Sequence, residues 1–273
     1  MDYRLSRLHE LLSQTGSIAV AYSGGVDSTL LARVAHDELG ECAVAVTADS
    51  PSLPRHELRE AMAIADGIGV RHVCLPSSEL NDPDYLANRP DRCYFCKRNV
   101  GEALLAFART EGYRIVVDGG NADDLDDHRP GRRAAQELGI RSPLQELGLS
   151  KAEVRVLAKT LGLPNWDKAS AACLSSRIPY GQAISVEALA QVESAEDRLR
   201  GLRLRQSRVR HHGRVARLEV DPADFPLVLE NRLEIVAALR ELGFTYIALD
   251  LAGFRSGSMN ELSTSPQGWQ HDG

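Results

Sequence analysis

Ser23-Gly24-Gly25-Val26-Asp27-Ser28 is the stretch whose residue types and spacing point most directly to chemistry. It follows a short apolar, strand-like run, Ala19-Val20-Ala21-Tyr22, and leads at once into a helical pattern, Thr29-Leu30-Leu31-Ala32-Arg33-Val34. Glycines let the backbone turn tightly and approach an anion with no Cβ in the way. The amides of such a turn and the N-terminus of the following helix converge on one point, which suits phosphate. Ser28 is placed to act as the helix N-cap and Ser23 as a hydroxyl donor. No lysine follows the glycines, so a Walker-type clamp on the β- and γ-phosphates is excluded. A plain strand-to-helix turn would explain the glycines but leaves two serines and Asp27 without a reason.

Three of the five cysteines form a second candidate group. Cys93-Tyr94-Phe95-Cys96-Lys97 puts two thiols at the start of a helical pattern, where the dipole favours thiolate. The spacing is compatible with redox, zinc or iron–sulfur roles. A thioredoxin-like role would need the pair directly after a strand, and here it follows a loop. A four-cysteine zinc site would need a second pair, which the chain lacks. Cys173, in Ala171-Ala172-Cys173-Leu174-Ser175-Ser176-Arg177, is the third thiol in polar company. Three thiolates could hold three irons of a [4Fe–4S] cluster and leave the fourth open, or hold Zn²⁺ together with a histidine. Cys42 and Cys74 lie in apolar runs and read as buried, inert thiols.

The densest positive stretch is Arg198, Arg200, Arg203, Arg205, Arg208, Arg210, His211, His212, Arg214 and Arg217. Strand alternation puts Ser207, Val209 and His211 on one side and Arg208 and Arg210 on the other. Arginine forks grip carboxylates and phosphates, so a phosphorylated acid is a natural ligand. The alternative is a solvated face paired with Glu193, Glu196 and Asp197. His211 and His212 read as turn residues.

The 273 residues, 43% hydrophobic and 26% charged, describe an ordinary globular chain of one large or two modest domains. No apolar run approaches the roughly 18 residues of a membrane span. The N-terminus lacks a signal-peptide core, which makes the cytoplasm the expected location. The formal charge of −6 counts against a nucleic-acid partner, since phosphate contacts need a basic surface. Cysteines in such a compartment are not expected to pair as disulfides.

The elements that must position these residues follow from periodicity. Residues 3–14 read as a helix with Leu5, Leu8, Leu11 and Leu12 on one face. Strand 17–22, helix 28–39, strand 42–47, helix 54–67 and strand 70–75 come next, a rhythm of βαβ units and a parallel sheet. Ligands of such sheets sit at the carboxyl ends of the strands. That makes Thr47, at one strand end, and Gly119, after strand 114–118, candidate nucleotide contacts. An aspartate of the following acidic turn, Asp124, could hold Mg²⁺, the alternative being a solvated loop over Asp123 to Asp127. A polar loop over 81–92 and a helix over 94–110 lie between. Ser142-Pro143-Leu144 reads as a last short strand, and Ser150-Lys151-Ala152-Glu153 as a capping box opening a helix over 151–161. Past Leu163-Pro164 the rhythm changes to a loop, a helix at 185–200, a hairpin 206–211 and 214–220 turning at His212-Gly213, further helix, and strand 245–251. That is a small α+β module. These changes divide the chain into residues 1–165, 166–262 and a polar tail, 263–273, expected to be disordered.

Taken together, the Ser23–Ser28 loop, the Cys93/Cys96 pair, the block Ala172-Cys173-Leu174-Ser175-Ser176-Arg177, the arginine hairpin and Leu249-Asp250-Leu251-Ala252-Gly253-Phe254-Arg255-Ser256-Gly257-Ser258-Met259-Asn260-Glu261 resemble the LarE family. Its members are ATP-dependent sulfur insertases of nickel-pincer nucleotide biosynthesis, the cofactor of lactate racemase. The likeness runs over residues 1–262. It implies a PP-loop ATP pyrophosphatase domain of adenine nucleotide alpha hydrolase type, followed by the α+β domain. It also implies adenylation of a pyridinium dicarboxylate mononucleotide with MgATP, release of pyrophosphate, and displacement of AMP by sulfur. By resemblance, Ser23, Gly24, Gly25, Val26, Asp27 and Ser28 hold the pyrophosphate, and Lys97 lies near the reacting carboxylate or the phosphates. Ser176, Arg177, Arg208 and Arg210 take the substrate phosphate, and Glu196, Glu219 and Asp224 form a metal or polar position nearby. The three-cysteine branch carries a [4Fe–4S] cluster on Cys93, Cys96 and Cys173 with an extra sulfide, supplied as sulfide or by a donor protein. In the other branch Cys173 alone surrenders its sulfur. The family forms hexamers.

Two other readings stand beside this one. A tRNA thiolase shares the loop and the cysteines but needs an RNA-binding surface. A non-catalytic zinc or nucleotide-binding module would bind ATP without releasing pyrophosphate.

Overall fold

Four parallel strands build the first sheet: three are largely buried runs of small and β-branched residues, and the fourth, at an edge, is partly exposed. The computed structural model describes residues 2–125, 130–169 and 172–255, and they divide into two compact units. The first comprises 1–85 and 91–172, the second 86–90 together with the chain from 173 onward.

The first unit opens with helix α1 (Tyr3–Ser13), strand β1 (Ile18–Ala21), helix α2 (Val26–Leu39), strand β2 (Ala43–Asp49), helix α3 (Arg55–Ile68) and strand β3 (Arg71–Pro76). A short helix α4 (Pro83–Leu86) and the long helix α5 (Arg92–Glu111) lead to strand β4 (Ile115–Val117). Helices α6 (Pro130–Glu137), α7 (Pro143–Glu146) and α8 (Lys151–Thr160) follow. All pairings are parallel and the strand order is β3-β2-β1-β4, with Ile18 facing Ala43 on one side and Ile115 on the other. The order reverses between β1 and β4, and the carboxyl ends of those two strands are where such folds hold ligands.

Alternation along the strands separates two cores. Ile18, Val20, Ala43, Ala45 and Val117 pack with Leu5, Leu8 and Leu12 of α1, Leu30 and Leu31 of α2, Ala61 of α3 and Leu157 of α8. Ala19, Val44, Val46 and Val116 pack on the other face with Leu104 and Ala108 of α5 and Ala135 of α6. Full burial of each leucine contributes about 1.5–3 kcal/mol, so this two-sided packing, rather than intrinsic strand propensity, holds the sheet. Ser150 and Glu153 form the expected capping box at the head of α8.

The second unit contains helix α9 (Val186–Arg200), capped by the Ser185 hydroxyl, and a hairpin of β5 (Ser207–His212) and β6 (Val215–Val220). Helices α10 (Phe225–Glu230) and α11 (Arg232–Glu241) and strand β7 (Tyr246–Leu249) complete it. The sheet order is β5-β6-β7, antiparallel then parallel. Ala195, Leu199, Val209, Leu218, Val220, Ile235, Leu239 and Phe244 form its core. The segment before α5 belongs to this unit because Asn88, fully buried, donates its side-chain amide to the carbonyls of Ile178, Pro179 and Gln182.

Several sequence expectations are corrected. Ser142 to Leu144 is not a strand: Pro143 opens α7, and only Arg141 bridges to Val117. A proline at the first helical position has no N–H to donate, which suits a helix start better than a ladder. The loop over 81–92 contains α4, held by buried Tyr85. Cys42 and Cys74 are exposed, because one lies in the 3-10 turn before β2 and the other on the edge strand β3. The acidic turn is described through residue 125, so Asp126 and Asp127 lie outside the described residues, as does the tail over 263–273.

Candidate active site

The phosphate loop connects β1 to α2, and its shape is fixed from several sides. Gly24 has a φ of +69°, and a Cβ there would lie 2.7 Å from that of Ala61 and 2.9 Å from its Cα. Glycine is therefore required by both conformation and space. The helix begins two residues earlier than Ser28: Gly25 is its N-cap residue, with no side-chain cap. Ser28 instead sits in the first turn, donating its hydroxyl to the Gly25 carbonyl at 3.1 Å and accepting from the Ser23 amide at 3.2 Å. The Ser23 and Ser28 hydroxyls lie 3.1 Å apart, and the Gly25 amide donates to Ser23 Oγ at 3.3 Å. The serines thus knit the loop together, while first-turn amides have no carbonyl to bond within the helix. Such amides, aligned with the helix dipole, bind anions.

The loop after β4 comes against this turn. A Cβ on Gly119 would lie 3.0 Å from both Asp27 Cβ and the Ser28 amide. Asn121 donates to Asp27 Oδ1 at 3.3 Å, and Lys151, at the head of α8, forms an ion pair with Asp27. The Lys151 amide donates to Asp123 Oδ2 at 3.1 Å, and Asp124 accepts from the Asn121 amide at 3.0 Å. Asp27 and Asp124 carry carboxylate oxygens, the hard donor type that Mg²⁺ prefers, though they are not part of a gathered three-ligand group among the described residues. Lys97 lies 3.1 Å from Asp118. Burial works to raise the Asp118 carboxyl, but the Lys97 charge, the Ser142 hydroxyl and the Gly120 amide outweigh it and bring it below its ordinary value. The Thr47 hydroxyl donates to the Tyr22 carbonyl at 2.8 Å and, its proton spent, accepts from His72 Nε2 at 2.8 Å.

Sequence reasoning missed Lys151, Asn121 and Asp118. A signal existed for the first: a cation in the opening turn of α8 opposes the helix dipole, which needs an anion nearby as compensation.

In the second unit, Cys173 precedes a 3-10 turn (Leu174–Arg177) with its thiol exposed. Its carbonyl accepts from Ser176 Oγ at 2.7 Å, the Ser176 amide at 3.0 Å and Arg177 Nη1 at 2.9 Å. Buried Arg177 also forks onto Glu196, at 2.9 and 3.0 Å, and Glu196 accepts from the Val209 amide. Arg210 donates to Glu219 at 2.7 Å and to the Ser176 carbonyl at 2.6 Å, and Arg217 shares Glu219 at 2.9 Å. Glu196 and Glu219 are thus engaged by arginines, and Asp224 accepts from the Arg205 amide at 2.7 Å. Arg208 differs. Among the described residues it has no carboxylate within ion-pair distance; it donates to the Ser207 carbonyl and stacks 5.2 Å from the Phe254 ring. Burial first, then the charges of Arg177 and Arg210, lower its pKa.

His211 is no turn residue. It is a buried strand position whose ring meets Phe244, with Gln182 at 3.0 Å from Nδ1 and Gln191 at 2.9 Å from Nε2.

Cys93 and Cys96 lie on the first turns of α5, the former exposed and the latter half-buried. Among the described residues, no group of three or more His, Cys, Asp or Glu side chains is gathered as a metal site. No helix there is long and apolar enough to cross a membrane.

The parallel sheet and its glycine loop define the class, a PP-loop ATP pyrophosphatase. Relatives agree: the chain is 28% identical to argininosuccinate synthase of Haloarcula marismortui over 55% of this chain and 38% of that one. It is 46% identical to an uncharacterised protein of Synechocystis sp. over 97% of this chain and 99% of the other. It is 41% identical to pyridinium-3,5-bisthiocarboxylic acid mononucleotide synthase of Lactiplantibacillus plantarum, over 92% and 91%. No protein-family model matches. The chain belongs to the LarE family and is an enzyme.

Proposed function

We propose that the protein adenylates a carboxylate of pyridinium-3,5-biscarboxylic acid mononucleotide and exchanges the AMP for sulfur, giving the thiocarboxylate. The observation that carries this reading is the end-to-end similarity to the Lactiplantibacillus synthase. A carboxylate is a poor electrophile, and its acyl adenylate offers AMP as a leaving group. In this scheme the Ser23–Ser28 loop takes the pyrophosphate, while Asp27 and Asp124 hold Mg²⁺. Lys151 and Lys97 offset charge that develops on the phosphates, the kind of preorganised stabilisation that dominates group transfer. Ser176, Arg177, Arg208 and Arg210 take the substrate phosphate, with Arg208 offering the uncommitted fork.

For the sulfur source, we propose that Cys93, Cys96 and Cys173 hold a [4Fe–4S] cluster. The donor chemistry fits: all three are thiols, none is in a disulfide, and none is fully buried. When bound, the cluster supplies a labile sulfide on the iron without a protein ligand. The acidic chain does not favour tRNA as the alternative substrate.

Pyrophosphate release from ATP, measured with the mononucleotide and with tRNA, tests the reading. Release dependent on the mononucleotide is expected, and release dependent on tRNA would overturn it. Iron and acid-labile sulfide after anaerobic purification test the cluster, and zinc without sulfide would refute it.

A further inference from the structure

Behind the phosphate loop lies a buried side chain that none of the roles above uses. Asn165 is 4% exposed and sits past the end of α8, far from the loop in sequence. Its side-chain amide donates to the Gly24 carbonyl and to Thr29 Oγ1, both at 2.9 Å. The orientation is forced, because a flipped amide would set its oxygen against the Gly24 oxygen. In this orientation Oδ1 has no hydrogen-bond partner. A buried acceptor left without a donor costs stability, so what this side chain contributes is its two N–H groups.

Thr29 is also buried, and the Tyr22 hydroxyl donates to the Ala61 carbonyl at 3.2 Å. Ala61 is the residue against which Gly24 is pressed. Gly24 is therefore fixed on its Cα side by α3 and at its carbonyl by Asn165.

The consequence follows from peptide geometry. In a planar trans peptide the C=O of one residue and the N–H of the next point in opposite directions. With the Gly24 carbonyl held inward, the Gly25 amide must face outward, where it rests on Ser23 Oγ. We infer that Asn165 is a positioning residue for ATP: by holding the Gly24 carbonyl it turns the Gly25 amide toward the pyrophosphate moiety of the nucleotide. This rests on the reading that the loop binds that pyrophosphate.

Calorimetry with ATP, pyrophosphate and AMP tests it, alongside thermal melts of each variant. Asn165→Ala and Asn165→Asp, neither able to donate as Asn does, are expected to weaken ATP and pyrophosphate by about tenfold while leaving AMP unchanged. Thr29→Val, which keeps the Gly24 contact, is expected to bind all three as the wild type does. Equal losses for ATP and AMP, no loss at all, or an equal loss in Thr29→Val would overturn the assignment. A wild type that binds neither ATP nor pyrophosphate would overturn the underlying reading as well. Should the Asn165 variants fail to fold, the wild-type Gly25 amide resonance decides: it is expected to shift downfield on adding pyrophosphate, and a stationary signal overturns the inference.

Discussion

Lys151 closes an ion pair with Asp27 across 124 positions of sequence, joining the first turn of α8 to the first turn of α2. The pair brings a cation to a loop whose own sequence contains none. Lys151→Met is expected to lower kcat/KM for pyrophosphate release by about a hundredfold, as loss of one preorganised charge does. The melting temperature should move little, since both side chains are partly exposed. A variant with unchanged release kinetics would remove Lys151 from the site.

The arginines of the second unit should separate into two classes. Arg177 and Arg210 are paired with buried Glu196 and Glu219, so Arg177→Ala strands a buried carboxylate and costs about 3–5 kcal/mol, whereas Arg210→Ala leaves Glu219 with Arg217 and costs less. Arg208 lacks such a partner among the described residues. Arg208→Gln is expected to raise KM for the mononucleotide by about tenfold or more, through loss of a charge-assisted fork, while denaturant midpoints stay near wild type. Steady-state kinetics and chemical unfolding together check both halves, and a destabilised Arg208→Gln with normal KM contradicts the division.

The surroundings of His211 imply a pH dependence of the second unit and fix its expected sign. Gln191 donates its amide to the Leu242 carbonyl, which leaves its Oε1 to accept from His211 Nε2, and Gln182 donates to Nδ1. The neutral ring is thus satisfied at both nitrogens, and burial lowers its pKa from 6.5. Stability is then fully present above about pH 6.5 and declines as the pH falls from there toward the folded-state value, because the unfolded chain binds the proton first. His72 and His212 are shifted in the same direction. Comparison with His211→Gln isolates the one group: its melting temperature should fall less between pH 7.5 and 5.5 than that of the wild type. Parallel curves would show that His211 titrates normally.

The thiols divide the two sulfur routes. Cys173→Ala should retain pyrophosphate release and lose thiocarboxylate formation. Cys96→Ala should lose it only if the cluster is the source. Single-turnover product from Cys96→Ala, with intact Cys173 lighter by one sulfur in the mass spectrum, would establish the sacrificial route instead.

What could be read from the chain was whatever is local. The phosphate loop is a contiguous hexapeptide between a strand and a helix, and the capping box of Ser150 and Glu153 spans four residues, so both were legible. Asn121 and Lys151 reach Asp27 only through the strand order β3-β2-β1-β4, which no short window contains. His211 and His212 read as turn residues because a Gly-containing dipeptide marks a turn without fixing its register: both belong to β5, and the observed loop is Gly213-Arg214, one residue later. Cys42 and Cys74 sat in apolar runs, but one falls in a turn and the other on an edge strand, and neither fact is a property of composition.

The excursion of Leu86–Pro90 into the second unit means the polypeptide passes from one unit to the other three times. A fragment expressed from Cys173 onward would therefore lack Asn88 and leave the carbonyls of Ile178, Pro179 and Gln182 without their shared donor. Dissecting this enzyme for biophysics thus calls for grafting the five-residue piece onto the carboxyl-terminal half, and gene fusion or domain exchange at a single junction near 172 would yield a crippled product.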